Sequence, residues 1–209
     1  AALINGATDL GYDLPGKEQG WGQINLYDSL VSKEYKFVDG SKRFFGPGSV
    51  TYTYEIESSD TPLKITLAWT DYPASVLASK TLVDDLDLEV TTPSGDRFWG
   101  NDFTGPDFDY VKDDTNNVEN VFIDNPEVGT YSITVRAINV PAGPLPFALY
   151  LSGDFDNVDI INQSPIDEEP VLNKIVSDFE KAFISWSGVK GATGYIVKYG
   201  IDSGNYTNE

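Results

Sequence analysis

Hydrophobic and polar residues alternate along several stretches between about residues 44 and 153, and this period of two constrains the fold more than any other feature. Such alternation is typical of β-strands that bury one face. The stretches are 50–56, 63–69, 86–90, 131–135 and 147–151. Turn-forming residues separate them and no helical periodicity interrupts them, which disfavours a parallel α/β sheet. We therefore predict an all-β fold, an antiparallel jelly-roll or β-sandwich of about eight strands.

Residues 1–31 differ from this β-rich stretch. Residues 1–4 indicate the end of a helix, which the Asn5–Gly6 pair terminates. A second, short amphipathic helix is indicated by the spacing of four apolar residues, Ile24, Leu26, Tyr27 and Leu30. Because two such short helices cannot bury a core, we expect this segment to pack on the β domain or on a domain outside the sequence.

Composition excludes several classes of partner. The formal net charge is −19, so the chain would repel the phosphates of nucleic acid and an anionic membrane surface, whereas cations would be attracted. No apolar run approaches the roughly 20 residues of a membrane-spanning helix. The chain has no Cys, hence no disulfides or thiol chemistry, and no Met even at position 1, which suggests a piece of a longer protein.

The chain also lacks His. A Ser-His-Asp triad and a His-bearing zinc site therefore cannot be built from its residues. No serine stands in the sequence context of an activated nucleophile. We expect the chain to be catalytically inactive on its own.

Two sets of phrases carry a family resemblance. Residues 1–7 (AALINGA) and 19–26 (QGWGQINL) resemble the end of a subtilisin-like catalytic domain. Five further phrases resemble, in family order, the β jelly-roll domain appended to alkaline and kexin-like subtilases: 65–71, 84–90, 99–103, 116–121 and 129–135. The resemblance covers residues 1 to about 153.

This resemblance implies a non-catalytic C-terminal accessory region of a secreted subtilisin-like serine endopeptidase. The catalytic Asp, His and Ser of that family would lie upstream of Ala1. The implied partners are the upstream protease catalytic domain, which this region would stabilise, and the protein or peptide substrates of the parent. The parent's reaction would be endopeptidase hydrolysis through an acyl-enzyme.

The resemblance and the residue pattern together divide the chain into four segments. Residues 1–31 would end the catalytic domain, 32–153 would form the jelly-roll domain, and 154–170 would be an acidic linker. The last segment, 171–209, resembles the first three strands of a fibronectin type III domain, with a Trp on the second strand and a Tyr opening the third. It has about 40 of the ninety to a hundred residues that such a sandwich needs.

A calcium site is predicted at Asp85 and Asp87. Residues i and i+2 of a strand share a face, so the two carboxylates lie together, opposite Leu86 and Leu88 in the core. Gathered carboxylates repel, and calcium relieves the repulsion with six to eight oxygen ligands. The further ligands that we predict are Asn101, Asp102, Asn117 and Glu119, with Asn116 as an additional donor; phrases around them surround calcium in the resembled family. The alternative is a solvated acidic face.

Two other groups of residues have competing interpretations. A second acidic group, Asp107, Asp109, Asp113 and Asp114, lacks the spacing of an EF-hand and favours a solvated loop over a second calcium loop. A crowded aromatic group consists of Phe98, Trp99, Phe103, Phe108 and Tyr110. It favours packing beneath a loop, but a sugar-stacking platform would make the chain a secreted cell-surface or carbohydrate-binding β-sandwich module.

Overall fold

The computed structural model describes residues 1–107, 109, 112–155, 172–178 and 181–186. It contains two compact units, Ala1–Asn162 and Gln163–Glu209. The predicted segment boundaries at residues 31, 153 and 170 stay predictions.

The first unit is an antiparallel β-sandwich, as predicted. Its strands are β1 (Glu34–Phe44), β2 (Gly48–Ile56), β3 (Leu63–Trp69), β4 (Asp85–Thr91), β5 (Arg97–Trp99), β6 (Val118–Ile123), β7 (Gly129–Asn139) and β8 (Leu145–Gly153). Sheet I has the strand order β1-β8-β3-β6, and sheet II has the order β2-β7-β4-β5. The chain crosses repeatedly between two four-stranded sheets, which is the arrangement of a jelly roll.

The facing sides of the two sheets bury the apolar residues of the alternating pattern. Each of the five predicted stretches lies on a strand, and four of them contribute residues with no exposed surface: Ile65, Leu67, Leu86, Leu88, Ile133, Val135, Leu149 and Leu151. The pattern did not reveal β1, β5 or β6. β5 has only three residues, and β6 alternates Glu119 and Val121 on its buried positions, so neither carries a clean apolar period.

Two short helices precede the sandwich, α1 (Ala2–Asn5) and α2 (Leu26–Leu30), at the predicted positions. The apolar face predicted for α2 is not buried against the sandwich. All four of its marker residues are at least half exposed: Ile24, Leu26, Tyr27 and Leu30. The buried residue of α2 is Ser29, because polar contacts rather than an apolar stripe hold the helix.

Asn5 anchors the N-terminal segment on the outer face of sheet I. Its amide nitrogen donates to Thr66 Oγ1 at 3.1 Å, and its carbonyl oxygen accepts from Ser152 Oγ at 2.6 Å. The Tyr150 hydroxyl donates to the Ser29 carbonyl. Gly6 ends α1 as predicted but has an ordinary φ of −91°. The close approach of α2 requires a glycine at this position, since a Cβ there would lie 2.4 Å from Ser29.

The second unit contains an antiparallel strand pair, β9 (Leu172–Asp178) and β10 (Lys181–Trp186). Both lie where the first two fibronectin-like strands are predicted. The third, at residues 195–200, lies outside the described residues, so the fibronectin identity stays a prediction.

Candidate metal centre

Strand β4 carries three acidic side chains on the face opposite the core. Leu86 and Leu88 point into the core as predicted, and Asp85, Asp87 and Glu89 occupy the alternate positions. All three carboxylates are buried rather than solvated. The interpretation of a solvated acidic face is therefore wrong for this strand. A buried carboxylate requires a compensating partner, and the neighbours of these groups define the site.

Glu89 is neutralised by arginine. Arg136, on the neighbouring strand β7, donates to Glu89 Oε2 from Nε at 2.7 Å and also from its Nη2. Arg97 Nε lies 3.7 Å from Glu89 Oε1. Two guanidinium groups thus compensate one carboxylate, which makes Glu89 a structural ion pair and leaves the aspartates as the candidate ligands.

Asn101 joins the two sheets beside these carboxylates. It follows β5 in the left-handed region, with φ 62°, a conformation that asparagine tolerates better than most residues. Its backbone N–H donates to the Asn120 carbonyl at 2.8 Å, and its side-chain oxygen accepts from the Asn120 N–H at 2.9 Å. The β5–β6 connection is thereby fixed against β6.

Glu119, on β6, occupies the gap that this junction leaves. Its Oε2 accepts a hydrogen bond from the Leu88 N–H at 2.6 Å. Its Oε1 has no hydrogen-bond partner, although Glu119 is only 1% exposed. Gly100 provides the space, since a Cβ there would lie 2.1 Å from Glu119 Oε2. The fold thus places an uncompensated carboxylate oxygen next to β4.

The electrostatics connect Glu119 to the aspartates of β4. Burial raises the pKa of Glu119 well above its usual 4.5, and the charges of Asp87, Asp113 and Asp85 add to the increase. Burial also raises the pKa of Asp85, against the opposing effect of Lys80 and Lys112. These carboxylates therefore share one negative region that favours a cation.

Two residues of the second acidic group belong to the same region, which the sequence did not reveal. Asp113 Oδ2 accepts hydrogen bonds from the side-chain amides of Asn101 and, at 2.8 Å, Asn116. Burial raises the pKa of Asp113, but these hydrogen bonds outweigh it and the net change is a decrease. Asp114 interacts with Lys80 and Lys112. We call Asp85, Asp87, Asp113, Asp114 and Glu119 the acidic cluster.

The predicted ligands divide into two groups. Asp85, Asp87 and Glu119 are in the acidic cluster and Asn101 borders it, whereas Asp102 and Asn117 have contacts elsewhere. Asp102 Oδ1 accepts from the Thr104 N–H at 3.0 Å and its hydroxyl at 2.7 Å. The Asn117 amide donates to the Trp69 carbonyl at 3.0 Å.

The donors fit a hard cation. Asp85 Oδ1 and Glu119 Oε1 are buried oxygens without hydrogen-bond partners, and oxygen is the ligand atom that calcium requires. In the described part of the chain, no three acidic side chains converge closely enough to hold a metal ion as they stand. The donors therefore lie in one region of the fold, but they do not converge on a common point.

The aromatic group does not form a platform around Trp99. Trp99 is buried, its indole N–H donates to the Asp107 carbonyl at 3.3 Å, and Phe98 packs against the core. Phe103 is exposed and makes a tilted contact with Phe122, with 5.6 Å between ring centroids. Phe108 and Tyr110 lie outside the described residues. Packing beneath a loop, as favoured by the sequence, is confirmed for Trp99.

Fold and site together define an all-β sandwich domain with a partly buried acidic cluster at one junction of its sheets. Among the residues that the structure describes, no helix is long and apolar enough to cross a membrane. No protein-family model matches the chain. It is similar to the serine protease/ABC transporter B family protein tagD of Dictyostelium discoideum, with 27% identity over 194 residues, covering 73% of this chain and 11% of that protein. The chain thus spans a small part of a relative whose name includes a serine protease.

Proposed function

We propose that this chain is a non-catalytic C-terminal accessory region of a secreted subtilisin-like serine endopeptidase, and that it binds calcium and stabilises the protease domain. The observation that carries the calcium assignment is Glu119, a buried carboxylate with one unpartnered oxygen beside the aspartates of β4. The protease assignment is supported by the phrases at residues 1–7 and 19–26 and by the similarity to tagD.

Calcium suits this donor set better than magnesium does. The candidate ligands come from a strand, a loop and the neighbouring sheet, so their geometry is irregular. Calcium tolerates irregular shells, whereas magnesium demands a small octahedral one and dehydrates reluctantly. The bound ion would neutralise the carboxylates that otherwise oppose folding. Asp85, Asp87 and Glu119 would hold it, with Asp113 and Asn101 orienting one another at the border of the site.

Exposed apolar residues on the N-terminal segment support contact with a catalytic domain. Leu26, Tyr27 and Leu30 of α2 are each at least half exposed. Tyr35, on β1, is also exposed and stacks on Tyr150, whose hydroxyl bonds α2. A surface with this many large apolar side chains is typical of an interface. In the proposed parent protein, this surface would pack on the protease domain.

The test is the melting temperature of the 209-residue chain in chelator and in excess calcium. At a hundredfold excess over the dissociation constant, the stabilisation is about 2.7 kcal/mol, or roughly 6–10 °C for a chain of this size. The double substitution Asp85→Asn with Asp87→Asn should abolish the gain. Asp60→Asn, at an exposed aspartate of the β2–β3 turn, is the control and should retain it. Equal melting temperatures in both conditions would reject the calcium site.

The accessory role is tested separately. A fluorophosphonate probe should label no serine of the native chain above the level seen after heat denaturation, since the chain has no His to activate one. Specific labelling of one serine would contradict the non-catalytic assignment without affecting the calcium site.

A further inference from the structure

Two lysines approach the acidic cluster from different loops. Lys80, in the β3–β4 connection, and Lys112, in the β5–β6 connection, bring their ammonium nitrogens to 3.3 and 3.4 Å from Asp114 Oδ2. The same nitrogens lie 3.8 and 3.9 Å from Asp85 Oδ2. Two positive groups thus sit between two negative ones, and the local charge of these four groups is balanced.

The lysines beside Asp85 differ from the arginines beside Glu89 in how firmly they are held. Arg136 makes a 2.7 Å hydrogen bond to Glu89, whereas neither lysine is within hydrogen-bonding distance of Asp85. The side chains of Lys80 and Lys112 are 43% and 41% exposed, whereas that of Asp85 is 6% exposed. The carboxylate is therefore fixed by the strand, while both ammonium groups can leave for solvent along flexible stems.

We propose that Lys80 and Lys112 are internal counter-cations of the acidic cluster and that a divalent cation displaces them, so that the site exchanges two ammonium groups for one calcium ion. This inference rests on the proposed function, since it specifies how the same site is regulated. The exchange keeps the charge constant, because two monovalent groups leave and one divalent ion enters.

The two kinds of cation exclude each other at Asp85. A calcium ion bound to this carboxylate would sit about 2.3–2.6 Å from an oxygen. An ammonium group remaining beside the same carboxylate would then face a doubly charged ion across a poorly solvated gap, where like charges repel strongly.

Removing the lysines should therefore destabilise the calcium-free chain and strengthen its binding of calcium. The double substitution Lys80→Ala with Lys112→Ala should lower the melting temperature in chelator, because the carboxylates lose their counter-charges. It should tighten calcium binding, measured by titration calorimetry, by about tenfold, because no competing cation has to leave. Lys17→Ala, at an exposed lysine of the N-terminal segment, is the matched control and should change neither quantity.

Chemical labelling measures the displacement itself. Limited acetylation with acetic anhydride, followed by mass spectrometry, should modify Lys80 and Lys112 faster in calcium than in chelator, with Lys17 unchanged. A wild-type chain that binds no calcium would refute the proposed function. A wild-type chain that binds calcium, with unchanged affinity in the double variant and unchanged labelling of both lysines, would overturn the exchange and leave the calcium site intact.

Discussion

Glu119 Oε2 accepts the backbone N–H of Leu88 at 2.6 Å, although the two residues lie on different sheets of the sandwich. The contact exists because β5 is only three residues long and turns away after Trp99. The Gly100 N–H still donates to the Leu88 carbonyl at 2.9 Å, but the Leu88 N–H bonds the side chain from β6 rather than a further residue of β5. The side chain is a buried carboxylate, so closing the sheet junction also places a group with a raised pKa, whose negative charge has the least compensation, in the site.

Gly100 makes this contact possible, and its substitution should break it. In Gly100→Ala the new Cβ would lie 2.1 Å from Glu119 Oε2, so the carboxylate or the junction must shift. We expect a loss of about 1–3 kcal/mol in the free energy of unfolding and a smaller calcium-induced rise in melting temperature. Gly48→Ala is the control, since a Cβ there meets nothing within 4 Å. Urea denaturation of both variants, with and without calcium, measures the effect.

Glu119→Gln should remove the contribution of this carboxyl to the pH dependence of stability in the calcium-free chain. Because the pKa of Glu119 is raised on folding, its contribution to stability is full below its usual 4.5 and is lost as the pH rises through the folded value. The amide keeps an acceptor for Leu88 but carries no charge. We expect the variant to be more stable than wild type at pH 7 in chelator, and less stable than wild type in saturating calcium. Melting curves from pH 4 to 8, in chelator and in calcium, test both expectations. If the variant is less stable than wild type in chelator at every pH, the charge of Glu119 does not oppose folding.

The sequence predicted the fold class because the core of this sandwich follows strict alternation. Val90 and Ile133 are fully buried, and their neighbours point outward, as the period of two requires. It predicted Asp85 and Asp87 as site residues for the same reason, since strand geometry alone places them on one face. What it could not predict was their burial, which depends on the chain between β5 and β6 folding back over β4.

The remaining site residues depend on tertiary contacts that no local pattern encodes. Asp114 joins the acidic cluster only because Lys80 and Lys112 meet it there. Asn117, predicted as a ligand from a phrase, bonds the end of β3 instead. The apolar spacing predicted α2 as an amphipathic helix, but it could not show that this face stays exposed while Ser29 makes the contact with the sandwich. For the counter-cations the available signal was Lys112, which directly precedes Asp113 and Asp114; Lys80 stands next to no aspartate.

Two tyrosines allow a comparison of a buried hydroxyl that lacks a hydrogen-bond partner with a hydroxyl that has one. The hydroxyl of Tyr52 is buried in the core without a hydrogen-bond partner, and burial raises its pKa above the usual 10. The hydroxyl of Tyr150 donates to the Ser29 carbonyl. We expect Tyr52→Phe to leave the free energy of unfolding unchanged or raise it by up to about 1 kcal/mol, and Tyr150→Phe to lower it by about 1 kcal/mol. Chemical denaturation should therefore show a loss of stability for Tyr150→Phe and none for Tyr52→Phe; equal losses would mean that Tyr52 has a partner.

The attachment of the N-terminal segment to sheet I should depend on Asn5. Its side chain is 1% exposed and contacts two strands of sheet I, through Thr66 on β3 and Ser152 on β8. Asn5→Ala removes these hydrogen bonds and leaves buried polar partners, at a cost of about 1–3 kcal/mol for each group left unsatisfied. We expect limited proteolysis to cleave first within residues 1–31 in the variant, followed by mass spectrometry, whereas the sandwich core persists. Gln23→Ala, at an exposed side chain of the same segment, should leave the cleavage pattern unchanged. A variant whose N-terminal segment is cleaved no faster than in wild type would show that the segment is held by other contacts.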